Sequence, residues 1–400
     1  MIISILFFLI LTLSQCVERE KQVSLDPRGA AYAGADQCVA CHKNISHSFS
    51  NTAHNKSSAP ASDKTVKGNF VFDKNEYFYR PDVKVAMEQR DSGLYQVAYK
   101  NNIERQATRM DIAIGSGRKA QTYLYWYDDN VYQLPVSWFV PANSWVNSPG
   151  YPATQVRFDR NVPIGCFECH SSYIKLKSNE VVGSNVLDNL DRNQVIYGID
   201  CERCHGPAAE HVIFHKEHPE EKSPRNIVGY SALTRQQKID MCAQCHSGTQ
   251  TILKTIFDFK PGDTLLNNFF AKSTHINVDE LDVHGNQTQL LMASQCFIES
   301  KTLTCTSCHN THVSERDRMK IFSQRCMNCH NQANHNFCSL ASSSKTLITD
   351  NCIDCHMPAK PSKSITLLSN GQASPLADLV RTHYIKVYPE ESKKFISVKK

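Results

Sequence analysis

Fourteen of the 17 cysteines in this 400-residue chain fall into seven copies of one pentapeptide, Cys-X-X-Cys-His. In chain order they are Cys38-Val-Ala-Cys41-His42, Cys166-Phe-Glu-Cys169-His170, Cys201-Glu-Arg-Cys204-His205, Cys242-Ala-Gln-Cys245-His246, Cys305-Thr-Ser-Cys308-His309, Cys326-Met-Asn-Cys329-His330 and Cys352-Ile-Asp-Cys355-His356; they are numbered motifs one to seven below. The pentapeptide is the attachment signature of c-type haem. Its two thiols add across the two vinyl groups, one backbone turn spans their separation, and the histidine that follows lies under the iron as proximal ligand. At this cysteine and histidine content, chance would give about 0.03 copies. Zinc sites need paired Cys-X-X-Cys units, and seven is odd. Neither zinc nor a thiol redox pair calls for a histidine after every second cysteine. Seven covalently bound haem c groups are therefore expected.

Haem iron takes two axial ligands, and their identity tunes its potential. Ten histidines lie outside the motifs: His47, His54, His211, His215, His218, His275, His284, His312, His335 and His383. That surplus predicts bis-histidine ligation of most irons. For any one of the ten, the alternative is a surface or propionate-binding histidine. His211 follows Cys204-His205-Gly206-Pro207, where Gly-Pro stops the local turn and frees His211 for a neighbouring haem. His312, three residues after His309, is too close to wrap around its own haem and should serve another. His54 could cap haem one or a neighbour, and His383 is the last histidine before the tail. His284, His335 and His47 complete the distal candidates, while His215 and His218 compete with His211. Met357 directly follows His356 and cannot reach the opposite face of the same haem.

The chain opens on an apolar run to Leu13 that ends in Leu13-Ser14-Gln15-Cys16 and then turns polar. The run is too short for a membrane span and of the right length for a signal-peptide core. Residues 1–15 are expected to be a signal peptide and Cys16 a lipidated N-terminus, with an ordinary signal peptide and an incidental Cys16 as the alternative. Export puts the protein in the periplasm or on the cell surface, lipid-anchored if Cys16 is modified. The net charge of +5 implies no nucleic-acid partner. In an oxidising compartment the two remaining thiols, Cys296 and Cys338, are expected to pair; two free thiols are the alternative.

Residues 16–35 read as a polar tether, 36–165 as a haem-one segment, 166–388 as a six-haem domain and 389–400 as a charged tail. Residues 66–140 hold no cysteine or histidine and are rich in aromatic and β-branched residues, as in Asn69–Phe72, Glu76–Tyr79, Leu94–Tyr99, Thr122–Tyr127 and Val131–Leu134. Turn signals at Asp91-Ser92-Gly93 and Asp128-Asp129-Asn130 separate some of these runs, which predicts an antiparallel β meander. Gly115-Ser116-Gly117 reads as a turn. From Cys166 to His356 the motifs crowd too closely for a conventional core. The predicted fold is a mostly α and irregular multihaem cytochrome c fold with a haem-packed core and an N-terminal antiparallel β insert.

Several strings resemble a large bacterial superfamily of multihaem cytochromes c, which includes small tetrahaem carriers, hydroxylamine oxidoreductase and TPR-linked proteins. They are Cys201-Glu-Arg-Cys-His-Gly-Pro with His211, Cys305-Thr-Ser-Cys-His-Asn-Thr-His312, Cys352-Ile-Asp-Cys-His-Met-Pro358 with Arg381-Thr-His383, Phe259-Lys-Pro-Gly-Asp263, and the run from Tyr123 to Tyr151. The resemblance implies that His211, His312 and His383 are distal ligands. Asn310-Thr311 departs from the family's frequent Asp-Pro. The family mixes carriers with enzymes. The histidine surplus favours a carrier between redox proteins or a membrane quinol-oxidising complex. The alternative is an oxidoreductase acting on a small nitrogen or sulfur species at one five-coordinate haem.

Overall fold

The computed structural model describes residues 26–183, 185–248, 252–269, 277–316, 318–342, 349–372 and 374–397. The expected signal peptide, Cys16 and His275 lie outside them. Among the described residues, β1 (Ser58–Pro60) precedes a four-stranded antiparallel meander of β2 (Glu76–Arg80), β3 (Val83–Arg90), β4 (Gly93–Lys100) and β5 (Ile103–Arg109). Next come β6 (Ile112–Ile114), β7 (Ala120–Tyr127), β8 (Asn130–Gln133), β9 (Val136–Phe139), β10 (Ser144–Asn147) and β11 (Arg160–Asn161). With β1 they make a second sheet in the order β1-β6-β7-β8-β11, in which β9 joins β7 and β10 joins β9. The expected turns close these strands: Gly93 and Asp128 both take the positive φ that tight reversals need, at 130° and 51°.

The two sheets share one core. Alternation along β2 to β4 turns Tyr77, Val85, Met87 and Leu94 inward against Tyr123, Val136, Trp138 and Trp145 of the second sheet. Trp138 and Trp145 are cross-strand partners with ring centroids 5.1 Å apart. The buried Gln96 amide donates to the Val136 carbonyl (2.7 Å) and accepts from its N–H (3.0 Å), so this polar group within the core is satisfied on both sides.

The opposite face of the second sheet begins the haem-motif region. Ile112, Leu124 and Val131 cover Phe167 of the motif-two helix, together with Ile174 and Leu190 of a long hairpin, β12 (Ser171–Val182) with β13 (Asn185–Tyr197). A second hairpin, β14 (Ala359–Leu367) with β15 (Leu376–Arg381), follows motif seven.

Two expectations are corrected. The chain is not mostly α and irregular, because antiparallel strands continue well past residue 140. Ser171-Ser-Tyr-Ile-Lys-Leu-Lys alternates as a strand should, and Gly183 supplies the positive φ (63°) of the reversal. Conversely, Asn69–Phe72 is a loop. Contacts cross the expected boundary at 165/166. The hydroxyls of Ser57 and Ser58 both donate to the His170 carbonyl at 2.7 Å, and Phe167 is fully buried against the sheet that precedes it.

Residues 26–34, read as tether, are docked. The Arg28 guanidinium bonds Asp26, Asp200 and Glu202, with all four side chains at most 7% exposed. Glu202 also accepts from the N–H groups of Ala33, Gly34 and Ala208. Arg28→Ala leaves three buried carboxylates short of their cation and should cost about 3–5 kcal/mol in thermal or denaturant unfolding. A loss below about 1 kcal/mol would mean that the segment is held by something else.

Candidate haem-attachment array

Each motif lies in or at the end of a helix, and flanking residues cap the start of three of them. Asp200 caps Cys201–His205 by accepting from Arg203 N–H, and Gly206 ends the turn at φ 79°. Thr234 and Gln237 form a capping box at the start of Arg235–His246. Thr304 N–H donates to Ser307 Oγ at the 3-10 turn Cys305–Ser307. The remaining helices are Ala35–Val39, Ile164–His170, Met319–Met327 and Ile353–His356.

Residues within and just before the motifs tie them to one another. Glu202 of motif three holds the segment leading into motif one. Arg203 donates to the Glu168 carbonyl of motif two (3.2 Å). Glu168 accepts from Thr255 Oγ1 and Ile256 N–H, which anchors the loop after motif four. Arg325, just before motif six, donates to the Cys308 carbonyl of motif five (2.7 Å) and forks onto Glu315. Ser323 Oγ accepts from Cys352 N–H at the start of motif seven (3.0 Å). Neither Arg28 nor Glu315 was singled out from the sequence. In sequence they are ordinary charges in polar stretches.

Two imidazoles that ligate one ion from opposite sides at about 2 Å each have ring centroids about 6 Å apart. Among the described residues three histidine pairs have this separation. His205 and His312 stand 5.9 Å apart with planes inclined by 16°. His309 and His383 stand 6.2 Å apart at 29°. His54 and His246 stand 6.1 Å apart at 85°. Each pair joins a motif histidine to one outside the motifs, and in none does the extra histidine face its nearest motif in sequence. The donor set therefore fits haem iron at motifs three, four and five.

Local structure accounts for these placements. Gly198 lets the His54 loop lie against the strand end: a Cβ there would stand 2.0 Å from the Asn55 carbonyl oxygen, and Ile199 N–H donates to the His54 carbonyl (2.9 Å). Ser294 Oγ donates to the His383 carbonyl (2.9 Å) and accepts from Ile385 N–H. His211 Nδ1 lies 2.8 Å from the Arg225 carbonyl, His356 Nδ1 3.1 Å from that of Lys386, and His330 Nδ1 3.3 Å from that of Asn336. A proton on Nδ1 leaves Nε2 as the free donor atom in each ring.

The other candidates are less engaged. The His211 ring lies 4.6 Å from His215, too close for an ion between them. His47, His284 and His335 are exposed. Among the described residues no ring stands across from His42, His170, His330 or His356 at the 6 Å separation. Cys296 and Cys338 are not bonded to each other in this structure. Cys296 neighbours Cys308 and Cys329, whereas Cys338 neighbours Cys355.

Desolvation lowers His54 and His383 to about 4, reinforced for His54 by His246 and for His383 by His309. His205, His246 and His309 are lowered by the same cause. A lowered histidine is neutral above its shifted value, the state in which imidazole binds metal. A low-spin spectrum should thus hold from about pH 8 to about pH 5, and a transition near the ordinary histidine value would contradict the ligand set. His54→Ala, His312→Ala and His383→Ala should each convert one iron to high spin, read by magnetic circular dichroism, with the covalent haem count unchanged by mass. A variant with an unchanged low-spin signal removes that residue from the axial set.

No family model matches the chain. Over 200 residues it is 23% identical to the multihaem cytochrome MtrA of Shewanella baltica (strain OS185), a match covering 48% of this chain and 51% of that protein. The chain thus spans about half the length of this curated relative. Among solved structures it is similar to the outer cell wall cytochrome OcwA, with a TM-score of 0.54 and 16% identity over 91% of this chain and 81% of that one. At that identity the likeness is one of fold. Neither name bears on tetrahaem carriers, hydroxylamine oxidoreductase or TPR-linked proteins, so the narrower kinship suggested by the motifs is not established. What sequence and fold share is a likeness to multihaem c-type cytochromes.

Proposed function

We propose that the chain is an exported electron-transfer protein that holds seven covalently attached haem c groups and passes electrons between redox partners. The observation that carries this reading is the set of three histidine pairs about 6 Å apart, each built from one motif histidine and one histidine from a distant segment. Bound haem would supply a one-electron iron couple at each motif. The protein's part is to fix it in place. Paired cysteines would tether each group, the motif histidine would hold its iron, and His54, His312 and His383 would supply the second histidine at motifs four, three and five. His211, His284, His335 and His47 are the remaining candidates for the other four irons. Ligation from both sides closes the metal to substrate and keeps the coordination shell the same in both oxidation states, which suits transfer rather than turnover.

The name of the outer cell wall cytochrome OcwA supports a periplasmic or cell-surface setting, with Cys16 as a lipid anchor if the leader is processed there. The donor would be another redox protein or a membrane quinol-oxidising complex. Mass spectrometry of the mature protein should find seven haem additions, and Cys16→Ser should release it from membranes. Fewer than six additions would overturn the count. Steady turnover of hydroxylamine or nitrite above that of a bis-histidine control cytochrome would replace the carrier with an enzyme.

A further inference from the structure

The face of β7 that packs against the first sheet continues past the end of the shared core. Tyr123, Tyr125 and Tyr127 alternate along it: Tyr123 is fully buried in that core, Tyr125 is half-buried at its margin and Tyr127 is 64% exposed. Tyr132, the cross-strand partner of Tyr125 on β8, completes a platform of three rings. Its centroid lies 5.6 Å from that of Tyr125 with planes inclined by 29°, and 6.4 Å from that of Tyr127 at 77°. The platform lines an open groove of about 490 Å³, within the size range of small-ligand sites. Gln106 of the first sheet and the segment carrying Arg157 and Asp159 line it as well. The Tyr125 hydroxyl donates to the Phe158 carbonyl (2.6 Å), which ties the platform to that segment.

The groove's polar groups select among ligands. The Arg157 guanidinium forks onto the Asp159 carboxylate through Nε (3.0 Å) and Nη2 (2.6 Å), so the lining carries no net charge and suits a neutral ligand rather than a phosphate, carboxylate or amine. The fork leaves the Nη1 donors of Arg157 and further lone pairs of Asp159 for a ligand. A hydroxyl both donates and accepts, so a polyol can use both members of the pair. A quinone or a prolyl peptide offers acceptors only and leaves the carboxylate unanswered. Tyr125 and Tyr132 already stack on each other, which leaves no slot between them for a planar aromatic guest. Their faces, and that of Tyr127, carry the negative π density that attracts the polarised C–H bonds of a sugar ring. The geometry points to a carbohydrate-binding site: a neutral pyranose chain lies across Tyr127 and Tyr132, with its hydroxyls held by Arg157, Asp159 and Gln106. The site is independent of haem loading, and in an exported protein it would hold the chain on a surface polysaccharide.

The test is isothermal titration calorimetry of the intact haem-loaded protein with cellohexaose and N-acetylchitohexaose, and with a polyproline peptide and menadione as competing ligand classes. Saturable binding of at least one of the two oligosaccharides is expected. Tyr127→Ala and Tyr132→Ala should each weaken it about tenfold, the loss of one ring's apolar contact, whereas Tyr127→Phe should keep it. Thermal unfolding of Tyr127→Ala should match that of the wild type, because the ring is mostly exposed. No saturable heat with either oligosaccharide would overturn the site, and so would an affinity that Tyr127→Ala leaves unchanged. Binding of the peptide or the quinone with both sugars silent would also overturn it, by giving the platform to another ligand.

Discussion

The pairing of histidine rings from distant parts of the chain, about 6 Å apart, is the constraint on which the proposed haem array depends. A Cys-X-X-Cys-His turn fixes one face of a haem locally, but the second face must be supplied by another segment. His54, His312 and His383 each face a motif far from their own place in sequence. The loops that carry them are accordingly held by specific contacts: the Gly198 approach at His54 and the Ser294 hydroxyl at His383. If either contact fails, the ring moves away from its partner while the attachment turn stays intact.

The β-structure serves the same end. Two sheets sharing a tryptophan-rich core give the N-terminal half an ordinary protein interior, and its outer face seats the motif-two helix through Phe167. Past that point a smaller apolar cluster of Ile239, Ile256, Phe259, Leu265 and Phe297 forms the core, and charged and polar ties join the motifs around it. Buried ion clusters such as Arg28 with Asp26, Asp200 and Glu202 contribute little net stability compared with apolar packing. They do penalise any arrangement that breaks them, and so favour one arrangement of the motifs.

How much of this was legible in the sequence follows from how local each feature is. The attachment motifs were legible because covalent chemistry confines cysteines and histidine to five consecutive residues. The strands β2, β4, β7 and β8 were legible from alternation and turn residues. The hairpin from Ser171 to Tyr197 alternates just as clearly, but the motifs on either side of it suggested that no chain was left for sheet. The distal histidines were legible as a surplus and, at His312, as a ligand that had to serve another haem. Their partners were not legible, because which ring faces which is decided by tertiary contacts. Arg28 and Glu202 read as solvated charges until their burial is seen, and Cys296 and Cys338 read as a pair until their different neighbours are seen.

The central claim is that the irons of this protein are closed on both sides by histidine. A low-temperature EPR spectrum of the fully oxidised, haem-loaded protein tests it most directly. Bis-histidine ligation predicts low-spin ferric signals throughout. The near-parallel planes at His205–His312 and His309–His383 should give rhombic spectra, and the near-perpendicular planes at His54–His246 a strongly anisotropic one. High-spin ferric iron at the motifs three to five, which hold these pairs, would contradict the account.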